Sequence, residues 1–225
     1  MIAVIAAGAG VAVVLAGDDD DTDAGAGADL ATEDLEPALL TEEDVGGRYA
    51  LAPDDEDDGS SDTGDFGLSD ECRELLEALE EGGDTSDEVG VEFVDDADAS
   101  VSNTLGLLLP GEPALDDVRS ALDQCGTMTF EEAGATGEVQ ITTEEVGGLG
   151  EAALAVDIVL LIDAEGISMT LESHGLLWEH DGVAADVVAF GGVDETTLEP
   201  TPVDEAWVRE LAETVDRRLD EIATG

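Results

Sequence analysis

Residues 153–190 read ALAVDIVLLIDAEGISMTLESHGLLWEHDGVAADVVAF. Four apolar segments, 153–162, 167–172, 176–179 and 183–190, are punctuated by Asp163-Ala164-Glu165-Gly166 and by Asp181-Gly182. Short runs of Val, Ile and Leu bounded by such residues predict strands. Asp-Gly suits a two-residue hairpin turn because its backbone tolerates positive φ. The expectation is an antiparallel meander.

Working upstream, 127–130 and 139–143 carry further strand signals. Val89, Val91 and Phe93 alternate with polar residues, and Val101, Asn103 and Leu105 do so more loosely, with Asp95-Asp96-Ala97-Asp98 between them as a hairpin turn. Helical spacing appears at 69–81 (Leu75, Leu76, Leu79, ended by Gly82-Gly83) and at 113–124 (Leu115, Val118, Leu122, with Gly126 beyond). A short capped helix is expected at Thr41-Glu42-Glu43-Asp44. The last helix should start with Thr201 as N-cap and Pro202 as first helical residue, and bury a stripe of Trp207, Leu211, Val215, Leu219 and Ile222. Helices before and after a run of antiparallel strands define the α+β class. The expected body is a twisted antiparallel sheet of about six strands with helices packed on it, preceded by an N-terminal hydrophobic segment.

Charge then restricts function. The 225 residues hold 59 acidic and 6 basic side chains, for a formal net charge of −53. Every basic residue is an arginine (Arg48, Arg73, Arg119, Arg209, Arg217, Arg218). No basic patch can be assembled to neutralise phosphates, so no nucleic-acid partner is expected, and docking on an anionic lipid surface fails for the same reason. Without lysine there is no P-loop lysine and no Schiff-base nucleophile. Self-repulsion of this size destabilises a compact state at low ionic strength, whereas molar salt shortens the Debye length to about 3 Å. Adaptation to brine is the expectation, with a merely acidic, very soluble secreted protein as the alternative.

Residues 1–17, MIAVIAAGAGVAVVLAG, contain no charged side chain. As a helix they would span roughly 25 Å, short of a ~30 Å hydrocarbon core, which fits a signal peptide or a short membrane anchor. Leu15-Ala16-Gly17 is followed by Asp18 where a lipoprotein box needs cysteine, so lipidation is not expected. Residues 18–36 are acidic and Gly/Ala-rich and read as a self-repelling spacer, leaving 37–225 as the folded domain. Membrane contact is expected only through residues 1–17, and the body is placed outside the cytoplasmic membrane.

Cys72 and Cys125 are the only cysteines. In an exported protein, two cysteines on separate helices favour a disulfide, with a pair of buried thiols as the alternative; CxxC redox spacing is absent. Residues 53–65, PDDEDDGSSDTGD, place Asp54, Glu56, Asp58, Asp62 and Asp65 around Gly59 with calcium-loop spacing. Glu at the third position, Asp at the twelfth and Ser61 at the apolar anchor depart from that pattern, so a solvated acidic loop is expected. His174 and His180 lie in SHGLLWEH, without the HExxH of a zinc protease; His174 is expected at a strand or turn surface and Glu179-His180-Asp181 as a turn cluster. A Ser–His–Asp site is allowed by residue types, but no GxSxG accompanies it. No catalytic, cofactor or metal residues are therefore expected, and no enzyme activity.

The order of elements resembles a known group. Leu39-Leu40-Thr41-Glu42-Glu43-Asp44-Val45-Gly46 leads to a Cys-bearing helix, then to Val91-Glu92-Phe93-Val94-Asp95-Asp96 and to VRSALDQC at 118–125. Four strands and a helix with Asp216-Arg217-Arg218-Leu219 follow. Over about residues 39–222 the chain resembles the PknH-like extracellular sensor domain, an actinobacterial module found on certain serine/threonine kinases and on stand-alone lipoproteins. It differs from the kinase-linked form in its single cysteine pair, and no attached kinase domain is expected. The resemblance implies a large twisted antiparallel sheet with helices on it, a cleft for an unidentified small ligand and no catalytic residues. An extracytoplasmic sensor-like binding module is the expected function, with a structural or interaction protein of the envelope as the alternative and a secreted hydrolase third.

Overall fold

The structure is a computed structural model and describes residues 30–52, 88–95, 97, 99–108, 115–132, 135–164, 167–193 and 200–224. The hydrophobic segment 1–17, the acidic loop 53–65 with its calcium-like spacing, and the helix expected at 69–81 with Cys72 lie outside the described residues.

A 3-10 turn, Thr32–Ala38, leads into α1 (Glu42–Val45) and β1 (Ala50–Leu51). The hairpin β2 (Glu88–Val94) and β3 (Ser100–Leu107) precedes α2 (Leu115–Gln124). Then β4 (Thr127–Glu132), β5 (Ala135–Glu145), β6 (Ala152–Ala164), β7 (Ile167–His180) and β8 (Val183–Phe190) run in succession to α3 (Glu205–Ala223). All strands join one open antiparallel sheet in the order β1-β2-β3-β8-β7-β6-β5-β4. After β3 the chain crosses to the far edge and meanders back until β8 pairs β3.

The α+β class holds, but the sheet has eight strands rather than about six. The β2–β3 hairpin shares its sheet with the meander, and β1 adds an edge through two pairs, Ala50↔Val94 and Leu51↔Phe93. A two-residue strand has no periodicity to read; only the neighbouring ladder defines it. Segments 167–172 and 176–179 are one strand, because β6 and β8 pair β7 on either side straight through Ser173-His174-Gly175.

Alternation assigns the two sheet faces. Val101, Asn103 and Leu105 of β3, Val183, Ala185, Val187 and Ala189 of β8, and Leu176 and Trp178 of β7 are buried on one face. Residues Val208, Leu211, Ala212, Val215 and Leu219 of α3 pack onto it, together with Leu35, Ala38 and Leu40. Val208 takes the place expected of Trp207, which is only partly buried. The opposite face carries a smaller cluster in which Leu115, Val118 and Leu122 of α2 cover Leu154 and Val156. Leu35 is 0% exposed, so packing begins before residue 37, where the sequence placed the end of the spacer. A hydrophobe within an acidic stretch reads as linker until a partner surface exists to bury it.

Two local starts differ in outcome. The Thr41 cap forms as expected: the Thr41 backbone N–H donates to Asp44 Oδ2 at 2.8 Å, as does its hydroxyl at 2.7 Å. The last helix starts later than Thr201-Pro202. Asp204 is its N-cap, accepting from the backbone N–H groups of Ala206 at 3.1 Å and Trp207 at 3.2 Å. Thr201 is instead tied to the sheet end by its N–H to the Gly192 carbonyl at 2.8 Å.

Candidate ligand-binding cleft

Arg48 and Tyr49 leave α1 through Gly46, whose φ of 83° lies in the left-handed region that glycine adopts freely. They meet the start of α3, where Trp207 stacks on Tyr49 with ring centroids 5.4 Å apart and planes 12° from parallel. The Arg48 guanidinium sits 4.6 Å from the Tyr49 ring centre and donates to its hydroxyl at 2.6 Å. That hydrogen bond raises the arginine's already high pKa, against the opposing effect of burial. Asp95 lies 3.6 Å from Arg48 Nε and accepts from the N–H groups of Ala97 at 2.8 Å and Ala99 at 3.0 Å, so it also forms the β2–β3 turn.

Arg48, Tyr49 and Trp207 wall a cleft of about 440 Å³, together with Ala189, Phe190 and Gly191 at the end of β8 and with Thr201–Asp204. A Cβ at Gly191 would stand 2.3 Å from the Thr201 carbonyl oxygen, so the close approach of these segments requires glycine there. The volume falls within the ~300–1,000 Å³ typical of small-molecule pockets. The Arg48 side chain keeps 59% of its surface exposed and can meet an anionic group in the cleft.

The other described arginines are engaged elsewhere. Arg119 pairs with Glu145 and Asp123, Arg209 with Glu213, Arg217 with Glu221 and Arg218 with Asp44. Dispersed and paired in this way, they form no phosphate-binding surface among the described residues.

Both histidines are buried; for His174 this corrects the surface position expected, while His180 stands directly before the Asp181-Gly182 turn. His174 is 8% exposed in mid-β7, and its Nδ1 lies 2.6 Å from Asp157 Oδ1, the cross-strand neighbour on β6. Glu205, the first residue of α3, brings a third possible donor to this pair. His180 ends β7 with Nδ1 2.7 Å from Asp216 Oδ1 and Nε2 3.5 Å from Asp220 Oδ1, both on α3. Ser173, next to His174, projects from the opposite face of the strand and cannot complete a Ser–His–Asp arrangement with it. Cys125 is 2% exposed just beyond α2; Cys72, its expected partner, lies outside the described residues.

The sequence contained each cleft residue but no signal joining them. Arg48-Tyr49 and Trp207 are brought together only when α3 packs back on the sheet. A cue was available in composition: the chain has seven aromatics, 2 Trp, 1 Tyr and 4 Phe, and Tyr49 and Trp207 stand outside the strand patterns.

No protein-family model and no curated protein matches this sequence. Among solved structures, the chain is similar to an uncharacterized protein, the Rv0999 ortholog, from Mycobacterium smegmatis, at 14% identity and a TM-score of 0.43. The match covers 82% of this chain and 97% of that one. Among the described residues, no helix is long and apolar enough to cross a membrane.

Proposed function

We propose that this protein is an extracytoplasmic, sensor-like binding module, adapted to high salt and not an enzyme, that captures a small ligand in the Tyr49–Trp207 cleft. One observation carries the reading. Two of the chain's seven aromatics (Tyr49 and Trp207, stacked on each other) and one of its six arginines line this one cleft. The ligand that suits it has a flat apolar body and one anionic group, for the aromatic walls and for Arg48. The placement outside the membrane rests on residues 1–17, the acidic spacer and the expected disulfide. The sensor-like role rests on the resemblance to PknH-like domains.

The test uses Trp207, since the other tryptophan, Trp178, is 1% exposed. Aromatic carboxylates are screened in molar salt by thermal shift and tryptophan fluorescence. Binding by some of these compounds, lost in Arg48→Gln and Trp207→Leu, supports the proposal. Binding that survives both substitutions overturns the site. The absence of any binder favours the envelope structural or interaction protein, and turnover of a compound favours the hydrolase.

A further inference from the structure

We infer that Asp157, His174 and Glu205 form a binding site for one divalent transition-metal ion of the zinc class, beside the cleft. The donors come from three elements, β6, β7 and the first turn of α3, and their ligand atoms all lie within 4.8 Å of one another. Bonds of ~2.0–2.2 Å to a single ion place its ligands roughly 3–3.5 Å apart. The 2.6 Å between His174 Nδ1 and Asp157 Oδ1 is a proton-sharing distance. An ion bound at Nδ1 leaves the imidazole proton on Nε2 and needs the pair to open by less than about 1 Å, within reach of a carboxylate rotation.

The arrangement is prepared for this. His174 is 8% exposed, and its strand is paired on both sides, so the imidazole is held before any ion arrives. Asp157 keeps 45% of its side chain exposed and Glu205 is exposed, leaving an entry path from solvent. Chemistry then distinguishes this group from the acidic surface around it. With 59 acidic residues, oxygen-only clusters that attract Na⁺, K⁺ or Mg²⁺ are commonplace. Nitrogen is not: the chain has two histidines, and imidazole favours zinc, copper, nickel and iron over magnesium.

Three protein ligands leave at least one position of a four-coordinate ion open. Ala189, the register partner of His174, and Asp204, the neighbour of Glu205, both line the cleft. The site therefore adjoins the cleft, but its existence does not depend on the cleft having a ligand.

The test uses the full chain, oxidised and stripped with chelator, in molar NaCl. Zn²⁺ is titrated by calorimetry in the presence of excess Mg²⁺, and Co²⁺ is added as a spectroscopic probe. The expected result is one Zn²⁺ per chain and a visible Co²⁺ band. Loss of even an outer partner of a metal ligand costs about 10–100-fold in affinity, so Glu205→Gln and Asp157→Asn should weaken Zn²⁺ binding at least that much. Glu213→Gln, an exposed carboxylate elsewhere on α3, should leave it unchanged. If His174→Asn fails to fold, the exposed Glu205→Gln still decides. Unchanged affinity in Glu205→Gln, equal loss in Glu213→Gln, or displacement of Zn²⁺ by Mg²⁺ would each overturn the site.

Discussion

Arg218 on α3 grips Asp44 on α1 through both carboxylate oxygens, at 2.9 and 2.8 Å, and donates to the Leu39 carbonyl at 2.6 Å. Both side chains are mostly buried. This clamp holds α1 against the last helix and so sets where Arg48 and Tyr49 face Trp207. Burial acts to raise the Asp44 pKa, but hydrogen bonds from Thr41 and Arg218 outweigh it and hold the carboxyl below its usual value. The resulting stabilisation is present above the unfolded carboxyl's pKa and is lost as pH falls through the lower folded one.

Arg218→Met should therefore cost about 2 kcal/mol at neutral pH, the scale of hydrogen bonds to a charged group. It should also reduce the loss of stability on acidification. Urea denaturation at fixed high salt, at neutral and acidic pH, measures both effects. An unchanged midpoint would show that the clamp is neutral.

Asp186 on β8 has the opposite sign. Burial is the main cause of its carboxyl being pushed up to about 7, with the nearby Glu88 charge adding to the shift and the hydrogen bonds from Thr104 opposing it. A raised folded pKa favours the native state fully below the unfolded carboxyl's pKa, near 4. That contribution is lost as pH rises from there to about 7. Asp186→Asn keeps an oxygen to accept from the Thr104 N–H, seen here at 3.2 Å. The variant should be more stable than the wild type at pH 8 and should lose the decline between those limits. Melting curves across that range check it; parallel curves would refute it.

Cys72 and Cys125 are expected to be joined in the exported protein. The bond would close a loop of about 53 residues, worth roughly 4 kcal/mol in the chain-entropy model. Alkylation under non-reducing conditions followed by mass analysis should find no labelled cysteine. Two labelled cysteines would exclude the bond.

Stability should climb with salt well past ordinary screening. With a net charge of −53, repulsion among surface carboxylates persists until the Debye length approaches ~3 Å near 1 M. The melting temperature should rise throughout a series from dilute buffer to molar NaCl. A flat series would place the repulsion outside the folded body.

What the sequence determined by itself was local or compositional. The Asp181-Gly182 turn appears with φ of 47° and 82°, and the alternation of β8 puts Val183, Ala185, Val187 and Ala189 inside. The 3.6-residue stripe of α3 names most of its buried face. These features depend on neighbours a few positions apart, where backbone geometry and side-chain period act directly. Tertiary structure decided whatever needed partners from afar. Asn103, a polar residue in an apolar row, is fully buried because Leu40 N–H donates to its Oδ1 at 3.1 Å and its amide reaches the Asp186 carbonyl at 2.7 Å. His174 meets Asp157 only through the β6–β7 register, and Glu205 joins them only after α3 returns to the sheet. The Tyr49–Trp207 stack likewise forms between chain segments that no periodicity links. Local pattern specified which face of each element is apolar; packing those faces together specified which polar groups met.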